Sequence, residues 1–263
     1  AYVAYQTAYL KCHYPAQFMA AMMTSVMDNT PKLAGYIEEC KKMGLSVLSP
    51  NINKSEAGFS VKEGGVVFGL SAVKNVGKKF AQNISLERKT NGAFSSFVDF
   101  VRRMGAYELN KKALESLIKA GAFDIFPFSR RHLLTVFGNV LEAVHIENRR
   151  GEGGQMDLFS DFMPERSLTL DRFFTDALPE YSTEQKLEFE RSVTGLFLSG
   201  HPLAQFSYVY EKQGYLHIRN LYTDLSEMDE QKKCKLFGVL TEFKTKRTKN
   251  GRSMAFATLE DES

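Results

Sequence analysis

The stretch Leu70-Ser71-Ala72-Val73-Lys74-Asn75-Val76-Gly77-Lys78-Lys79 decides how the middle of this chain folds. Residues 70–73 predict a short helix, and residues 78–88 predict a second, longer one. Between them Asn75, Val76 and Gly77 predict a tight turn, because asparagine and glycine accept backbone conformations that other residues avoid. We therefore expect a compact helical hairpin over residues 70–88.

The predicted turn has the features of an anion site. Backbone N–H groups of the turn, and of the first turn of the helix after it, would point toward a phosphate, and Gly77 would permit close approach. Such contacts hold the DNA backbone without reading bases. The predicted DNA-binding residues are Val73, Lys74, Asn75, Val76, Gly77, Lys78 and Lys79. The alternative is an ordinary helix connection with a solvated lysine face.

A second, less charged hairpin is predicted over residues 110–124. Asn110 is a good N-cap for a helix whose apolar face contains Leu114, Leu117 and Ile118, and Gly121 ends that helix. Lys119 and Gly121 are its candidate DNA contacts. The alternative is that this hairpin packs against the first one.

The flanking residues predict further helices and short strands. Residues 1–44 have helical periodicity, with Pro15 at a helix start, Thr30 as the N-cap of the next helix and Gly44 as its stop. Residues 46–69 alternate as strands do and turn at Gly64-Gly65. Phe94, Phe97, Phe100 and Val101 predict a short helix with core side chains, and residues 130–147 predict an amphipathic helix.

A helix is also expected from residue 182 through Phe197, stopped by Gly200 and Pro202. Ser182 and Gln185 have capping-box spacing at its start.

Between these helices lies the peptide Gln155-Met156-Asp157-Leu158-Phe159, preceded by Gly151, Gly153 and Gly154. Glycines and polar flanks predict a flexible setting, yet two large apolar residues stand side by side in it. This arrangement is typical of a peptide that inserts two side chains into a pocket of a partner. The alternative is that Leu158 and Phe159 fold back onto their own domain.

The last residues predict two strands, 236–243 and 254–259, joined by a basic turn. They look like the start of an OB-type barrel, a fold that binds single strands through basic loops and aromatic faces. The candidate single-strand-binding residues are Lys244, Lys246, Arg247, Lys249 and Arg252, with Phe237, Phe243 or Phe256 available for stacking. The alternative is that these rings fill a barrel core.

Composition excludes several classes of protein. A net charge of +3 over 263 residues means that DNA binding would need local basic patches. Cys12, Cys40 and Cys234 are far apart and odd in number, which argues for a reducing cytosol and against a disulfide framework or zinc site. The scattered histidines suggest no metal cluster. No apolar run approaches membrane-spanning length and no signal peptide is recognisable, so a cytoplasmic protein without membrane contact is expected.

No catalytic constellation is recognisable either. Phosphoryl transfer on nucleic acid needs convergent carboxylates that hold metal ions. The acidic stretches 224–230 and 260–262 have the pattern of solvated surface, and no Walker A loop or nucleophile elbow occurs. We expect no catalytic residue and no metal site in this chain. The sequence starts within an apparently helical pattern and stops directly after a strand-like run, which predicts an internal segment of a longer protein.

Taken in order, several blocks resemble the C-family replicative DNA polymerases of bacteria, the DNA polymerase III alpha subunits. The similar blocks are residues 4–11, 13–19, 36–40, 43–44, 68–77, 117–124, 155–159 and 195–203. One departure is Asn75, where the family usually has the first glycine of a Gly-x-Gly turn. Asparagine is the next best residue for a left-handed conformation, so the turn should survive.

The resemblance implies a function for the parent protein and a partial role for this chain. It implies a DNA-directed DNA polymerase (a nucleotidyltransferase) that uses magnesium bound by carboxylates of a palm domain upstream of Ala1. This C-terminal-half segment should therefore be inactive alone. The implied partners are duplex DNA, single-stranded DNA, the sliding clamp (beta subunit) and other replisome subunits. A non-catalytic clamp- and DNA-binding adaptor for repair and an error-prone C-family paralogue remain alternatives.

The predicted fold class is multidomain and mainly α. The expected domains are a distal fingers region at 1–62, a tandem helix-hairpin-helix domain at 63–148 and a clamp-binding loop at 149–165. A helical connector at 166–230 and the first strands of a truncated OB-type domain at 231–263 complete the prediction.

Overall fold

The computed structural model describes residues 2–107, 109–152, 170–174, 178–206, 208, 214–218, 220, 234–248, 251 and 253–261. The predicted clamp peptide, residues 155–159, lies outside the described residues, as do Lys249 and Arg252. The contacts divide the chain into two compact units, Ala1–Leu198 and Ser199–Ser263. The finer division into five domains stays a prediction.

The first unit begins with three helices, α1 (Tyr2–His13), α2 (Pro15–Ser25) and α3 (Thr30–Lys42). Pro15 starts α2, as predicted, because a missing N–H costs nothing in a first turn. The N-cap prediction for α3 is wrong by one residue. Asn29 is the cap, since its side chain accepts a hydrogen bond from the Lys32 amide at 3.1 Å. Gly44 follows the helix with a positive φ of 70°, as its role as a stop requires.

A small three-stranded sheet follows, built from β1 (Val47–Leu48), β2 (Ser60–Lys62) and β3 (Gly65–Val67). β3 is central, parallel to β1 and antiparallel to β2, with Val47 opposite Val66 and Ser60 opposite Val67. A turn precedes β3, but its predicted position at Gly64-Gly65 is wrong by one residue. Glu63 and Gly64 form it, both at positive φ, because Gly65 already pairs in the sheet opposite Lys62. The sheet leads the chain into the 3₁₀ turn Leu70–Ala72 and thus into the first hairpin.

Four helices form the centre of the first unit: α4 (Lys78–Asn91), α5 (Phe97–Met104), α6 (Lys111–Lys119) and α7 (Arg130–Glu152). Both predicted hairpins are present. The predicted cap of α6 is confirmed, because the Asn110 side chain accepts a hydrogen bond from the Ala113 amide at 2.7 Å. The fold is therefore mainly helical, with a few small sheets.

Aromatic side chains dominate the core of these helices. The rings of Phe94, Phe97, Phe100 and Phe123 are buried and meet edge to face, with centroids about 5 Å apart. The prediction that the phenylalanines of 94–100 are core residues is confirmed. From α7, Phe137, Val140, Leu141 and Val144 are buried in the same core, as their helical spacing predicts.

The last helix of the first unit, α8 (Thr183–Thr194), starts with the predicted capping box. Its predicted end was wrong. The helix stops at Thr194 because Gly195 takes the left-handed conformation, with φ 76°, and its amide bonds to the Arg191 carbonyl. A Cβ at Gly195 would lie 2.5 Å from Thr30 Cγ2, so tertiary packing also requires glycine there.

The second unit contains the antiparallel pair β4 (Val239–Arg247) and β5 (Ser253–Glu260). Two strands were predicted here, but β4 runs further than expected. Lys244, Lys246 and Arg247 lie in the strand rather than in the turn, because they continue the ladder opposite Phe256, Met254 and Ser253. None of the helices in the described ranges has the length and hydropathy that a bilayer-spanning segment needs.

Candidate nucleic-acid interface

The turn of the first hairpin is anchored by two buried valines. Val73 is 1% exposed and Val76 is 5% exposed, and the Val76 amide donates to the Val73 carbonyl at 3.1 Å. Asn75, between them, has a φ of 65°, which is the left-handed conformation that we predicted for it. The valine side chains therefore hold the turn to the core. Their amides donate to the Leu70 and Val73 carbonyls, so the structure leaves neither predicted contact a free side chain or amide for DNA.

The outer side of this turn is polar and basic. Lys74, Asn75, Gly77, Lys78 and Lys79 are all exposed. Gly77 is the N-cap of α4 and has no side chain with which to bond the first-turn amides of that helix. These amides have no carbonyl partner within a helix, and they carry the positive end of its dipole. The turn thus combines uncapped amides with three lysines.

Gly77 has a φ of −66°, so its backbone conformation does not require glycine. A Cβ built on it would meet nothing within 4 Å. The open space beside Gly77 fits the predicted close approach of a phosphate, and it makes this position suitable for mutation without disturbing the fold.

Two hydrogen bonds hold the turn from outside the hairpin. The Lys74 amide donates to the Val193 carbonyl in α8 at 2.7 Å. The Asn75 side chain donates from Nδ2 to Ser116 Oγ in α6 at 3.0 Å. The Lys74 and Val76 amides are therefore used within the protein, which leaves Asn75, Gly77, Lys78 and Lys79 to offer amides to an anion.

An open cleft of about 670 Å³ lies beside the turn. One wall is the turn itself, and the other walls are the α2–α3 connection and the last turn of α8. Lys74 and Arg191 line the cleft together with Asp28, so its charge is mixed. The basic residues of this region lie mainly on the outer side of the turn rather than in the cleft.

The second hairpin has a different environment. Gly121 ends α6 with a φ of 80°, and the Arg130 guanidinium covers it so closely that a Cβ would lie 2.3 Å from Nη2. Arg130 bonds to Asp124 at 2.6–3.1 Å, to Glu190 at 3.0 Å and to the Lys119 carbonyl at 3.2 Å. This ionic cluster, in which Arg130 and Glu190 are buried and Asp124 is half exposed, covers the turn.

Burial by itself lowers the pKa of Arg130, but hydrogen bonds and charge from Asp124 and Glu190 outweigh that effect and raise the pKa. Arg130 therefore stays charged in the cluster. Lys119, the other predicted contact of this hairpin, is paired with Glu115 at 2.7 Å and lies near the Phe189 ring.

The basic residues of the second unit share a face with apolar side chains. Lys244 lies opposite Phe256, and Lys246 lies opposite Met254, so all four lie on one face of the β4–β5 pair. Phe256 is 53% exposed. Phe243, also exposed, lies on the other face opposite Ala257. Of the described candidate residues, Lys244 and Lys246 thus share a face with Phe256, whereas Arg247, opposite Ser253, lies on the other face with Phe243.

The described residues contain no group of three or more histidine, cysteine, aspartate or glutamate side chains arranged to hold a metal ion. Magnesium, which the resemblance implies for the parent polymerase, is assigned to no residue of this chain. The supports of the two turns, Ser116, Val193 and Arg130, were not predicted from the sequence. The one signal for Ser116 was a hydroxyl within the apolar face of α6.

Comparison with known proteins agrees with this geometry. A family model described as helix-hairpin-helix motif matches residues 44–133, which contain both hairpin turns. The DNA polymerase III subunit alpha of Borreliella burgdorferi is 38% identical over 260 residues. The subunit alpha of Saccharopolyspora erythraea is 38% identical over 264 residues, and that of Thermus aquaticus is 36% identical over 261.

These matches cover 98%, 99% and 99% of this chain, respectively, and 22%, 22% and 21% of the relatives. The chain thus spans about a fifth of the length of the curated relatives that it matches. The predicted resemblance is confirmed: along almost its whole length this chain is similar to a segment of the bacterial DNA polymerase III alpha subunit, and this chain contains a helix-hairpin-helix motif.

Proposed function

We propose that this chain is the DNA-holding segment of a bacterial replicative DNA polymerase alpha subunit, and that its first hairpin binds duplex DNA without sequence preference. The observation that carries the proposal is the exposed turn at Asn75–Gly77, with uncapped α4 amides beside Lys74, Lys78 and Lys79. The helix-hairpin-helix match over residues 44–133 supports it.

In this proposal a backbone phosphate of the duplex accepts hydrogen bonds from the Gly77, Lys78 and Lys79 amides. The positive end of the α4 dipole favours the negative charge. Lys74, Lys78 and Lys79 add attraction that depends on salt, since each neutralised phosphate releases counterions. None of these contacts reads a base, so sequence preference is not expected.

Gly77→Val tests the close approach of DNA. A Cβ at this position meets nothing in the protein, so the fold should be kept, with only the modest loss of stability that a poorer N-cap causes. Duplex binding should weaken even though no charge is removed. Gly200→Val is a matched control, because Gly200 also has open space beside it and lies in the other unit. If Gly77→Val binds duplex as tightly as the control, the phosphate is not bound at this turn.

We also propose that Gln155, Met156, Asp157, Leu158 and Phe159 bind the sliding clamp. Support comes from the residues around the peptide. α7 ends at Glu152, close before Gln155, and the chain is next described at Leu170, which is buried. His132 Nε2 contacts the Phe173 carbonyl at 2.8 Å, so the chain after the peptide is attached near the start of α7. A 23-residue helix is roughly 35 Å long. The described residues on either side of the peptide thus lie near the two ends of α7.

Replacing Leu158 and Phe159 together with alanine tests this proposal by clamp binding. Each apolar anchor should contribute about 2 kcal/mol or more to the binding free energy. Phe162→Ala, in the same part of the chain, is the control. Unchanged clamp binding, or a much lower melting temperature, would mean that the pair packs against its own domain instead.

For the second unit we propose the start of an OB-type domain that contacts single-stranded DNA. The face formed by Lys244, Lys246 and Phe256 supports this, because a base can stack on an exposed ring while lysines neutralise the backbone. Lys249 and Arg252 are included from the sequence. Phe256→Ala should weaken binding of an oligothymidine strand, whereas Phe243→Ala, on the opposite face, should not.

The parent protein is proposed to be a cytoplasmic DNA-directed DNA polymerase that works with other replisome subunits and magnesium. The palm carboxylates would lie outside this chain, so the chain alone should not extend a primer in the presence of magnesium and nucleotides. Primer extension by the pure chain would refute this assignment. A repair adaptor and an error-prone paralogue are the alternatives, and a pair of palm aspartates upstream in the gene would exclude the adaptor.

A further inference from the structure

The first hairpin turn is held to the second hairpin by one side-chain hydrogen bond. Asn75 Nδ2 donates to Ser116 Oγ at 3.0 Å, across 41 residues of sequence. Asn75 is exposed, whereas Ser116 is 3% exposed and lies on α6 among the core residues Ala113, Leu114 and Leu117. An exposed turn residue is thus attached to a rigid part of the core.

The position of this bond matters because of where Asn75 lies. Asn75 is two residues before Gly77, the N-cap of α4, and its φ of 65° sets the direction in which the chain enters that helix. A non-glycine residue in this conformation has a strained backbone, and it needs surrounding contacts to keep it there. The bond to Ser116 is such a contact. The Lys74 amide bond to the Val193 carbonyl holds the turn on the other side.

We infer that Asn75 and Ser116 form a positioning pair that orients the phosphate-binding turn of the first hairpin from the second hairpin. The second hairpin thereby contributes to DNA binding through the first one. The inference rests on the proposed DNA-binding function of the first hairpin. Asn75 is a positioning residue in this arrangement, and its side-chain amide is used within the protein rather than on DNA.

The test compares Asn75→Gly, Ser116→Ala and the double variant of the 263-residue chain, with a random-sequence blunt duplex as the probe. Glycine keeps the positive φ but removes the donor, and Ser116→Ala removes the acceptor and leaves Asn75 in place. Each single variant should bind duplex roughly 2- to 10-fold more weakly, as expected for one neutral hydrogen bond. The double variant should be no weaker than either single variant, because the same bond is absent from all three.

Two further measurements separate positioning from other roles. The slope of log affinity against log salt should stay at the wild-type value, since the same phosphates are neutralised. The side-chain amide signals of Asn75 in an NMR spectrum should shift in Ser116→Ala. Ser192→Ala is the control, because it removes an exposed hydroxyl on the far wall of the cleft. It should bind as wild type does.

The outcomes are distinguishable. If Asn75→Gly weakens binding while Ser116→Ala does not, Asn75 contacts DNA directly and the inference is overturned. If both variants bind as wild type does, or if their effects add, the pair does not position the turn. The proposed DNA-binding function fails separately, and only if the wild-type chain does not bind duplex or Gly77→Val has no effect.

Discussion

The two hairpins have similar turns and opposite environments. In the first hairpin, Asn75 and Gly77 of the turn are exposed on the surface, and a Cβ added at Gly77 would meet nothing within 4 Å. In the second, a Cβ added at Gly121 would lie 2.3 Å from Arg130, whose guanidinium bonds to Asp124 and Glu190. The backbone of the first turn is open beside Gly77, whereas an ionic cluster covers the backbone of the second turn at Gly121.

A hairpin motif specifies a turn but does not specify whether that turn is accessible to a ligand. The accessibility of each turn depends on the neighbouring helices. Arg130 and Glu190 belong to α7 and α8, and they cover the second turn, whereas α8 reaches the first turn through the Val193 carbonyl. We therefore expect the second hairpin to act mainly on stability and the first hairpin mainly on binding.

The largest effect should come from breaking the ionic cluster of the second hairpin. Arg130→Ala leaves Glu190, which is fully buried, without its guanidinium partner. Removing one member of a buried pair typically costs about 3–5 kcal/mol of folding free energy. The measurement is denaturant unfolding, with the exposed Arg131→Ala as the control. A destabilisation below about 1 kcal/mol, the range of surface substitutions, would mean that the cluster does not stabilise the fold.

The next effect compares alanine at the two turn glycines. Gly121→Ala should destabilise the fold by at least about 1–3 kcal/mol, because alanine at a φ of 80° is strained and its methyl group would contact Arg130 and Asp124. Gly77→Ala should cost less, about 1 kcal/mol at most, because its methyl group meets nothing and only the N-cap preference for glycine over alanine is lost. Equal effects at the two positions would remove the distinction between a closed and an open turn.

A smaller effect, on DNA affinity, should separate the lysines of the two hairpins. Lys78→Ala with Lys79→Ala should weaken duplex binding and lower the slope of log affinity against log salt by roughly 0.9 for each phosphate that is no longer neutralised. Lys119→Ala should change the slope less, since Lys119 already pairs with Glu115. The measurement is a salt series with one duplex. An unchanged slope in the double variant would make these lysines a solvated helix face.

The smallest effect concerns the buried carboxylate of the first hairpin, which lies away from its turn. Hydrogen bonds from Asn91 and Arg103, and a further bond from Tyr107, lower the pKa of Glu87 below its ordinary value of 4.5. The folded state therefore binds the proton more weakly than the unfolded state does. The stability that Glu87 contributes is complete above the ordinary pKa and disappears as pH falls through the lowered pKa.

Glu87→Gln should accordingly flatten the decline of stability between neutral pH and about pH 3, by about 1.4 kcal/mol for each unit by which the pKa is lowered. Unfolding measured across that range checks it, with Glu115→Gln, a more exposed position, as the comparison. If wild type and Glu87→Gln lose stability in parallel, the carboxylate does not contribute in the way its contacts indicate.

The elements that the sequence predicted correctly are those specified by nearby residues. Asn110 caps α6 through a residue three positions away, and Ser182 and Gln185 bond to each other over the same distance. The helix boundaries that were predicted wrongly are those where two nearby residues both suit the same cap or stop position. Asn29 and Thr30 are both good caps, and Gly195 and Gly200 are both good stops, so composition alone could not choose between them.

The helical hairpins, the positive φ of Asn75 and the resemblance to a polymerase subunit could all be predicted from the sequence, because each depends on residue types within a few positions. Which of the two turns is open depends instead on contacts between distant residues. The bonds that decide it join Asn75 to Ser116 across 41 residues and Arg130 to Glu190 across 60. No local pattern encodes such contacts, since they form only after the helices pack and exclude water from the groups between them.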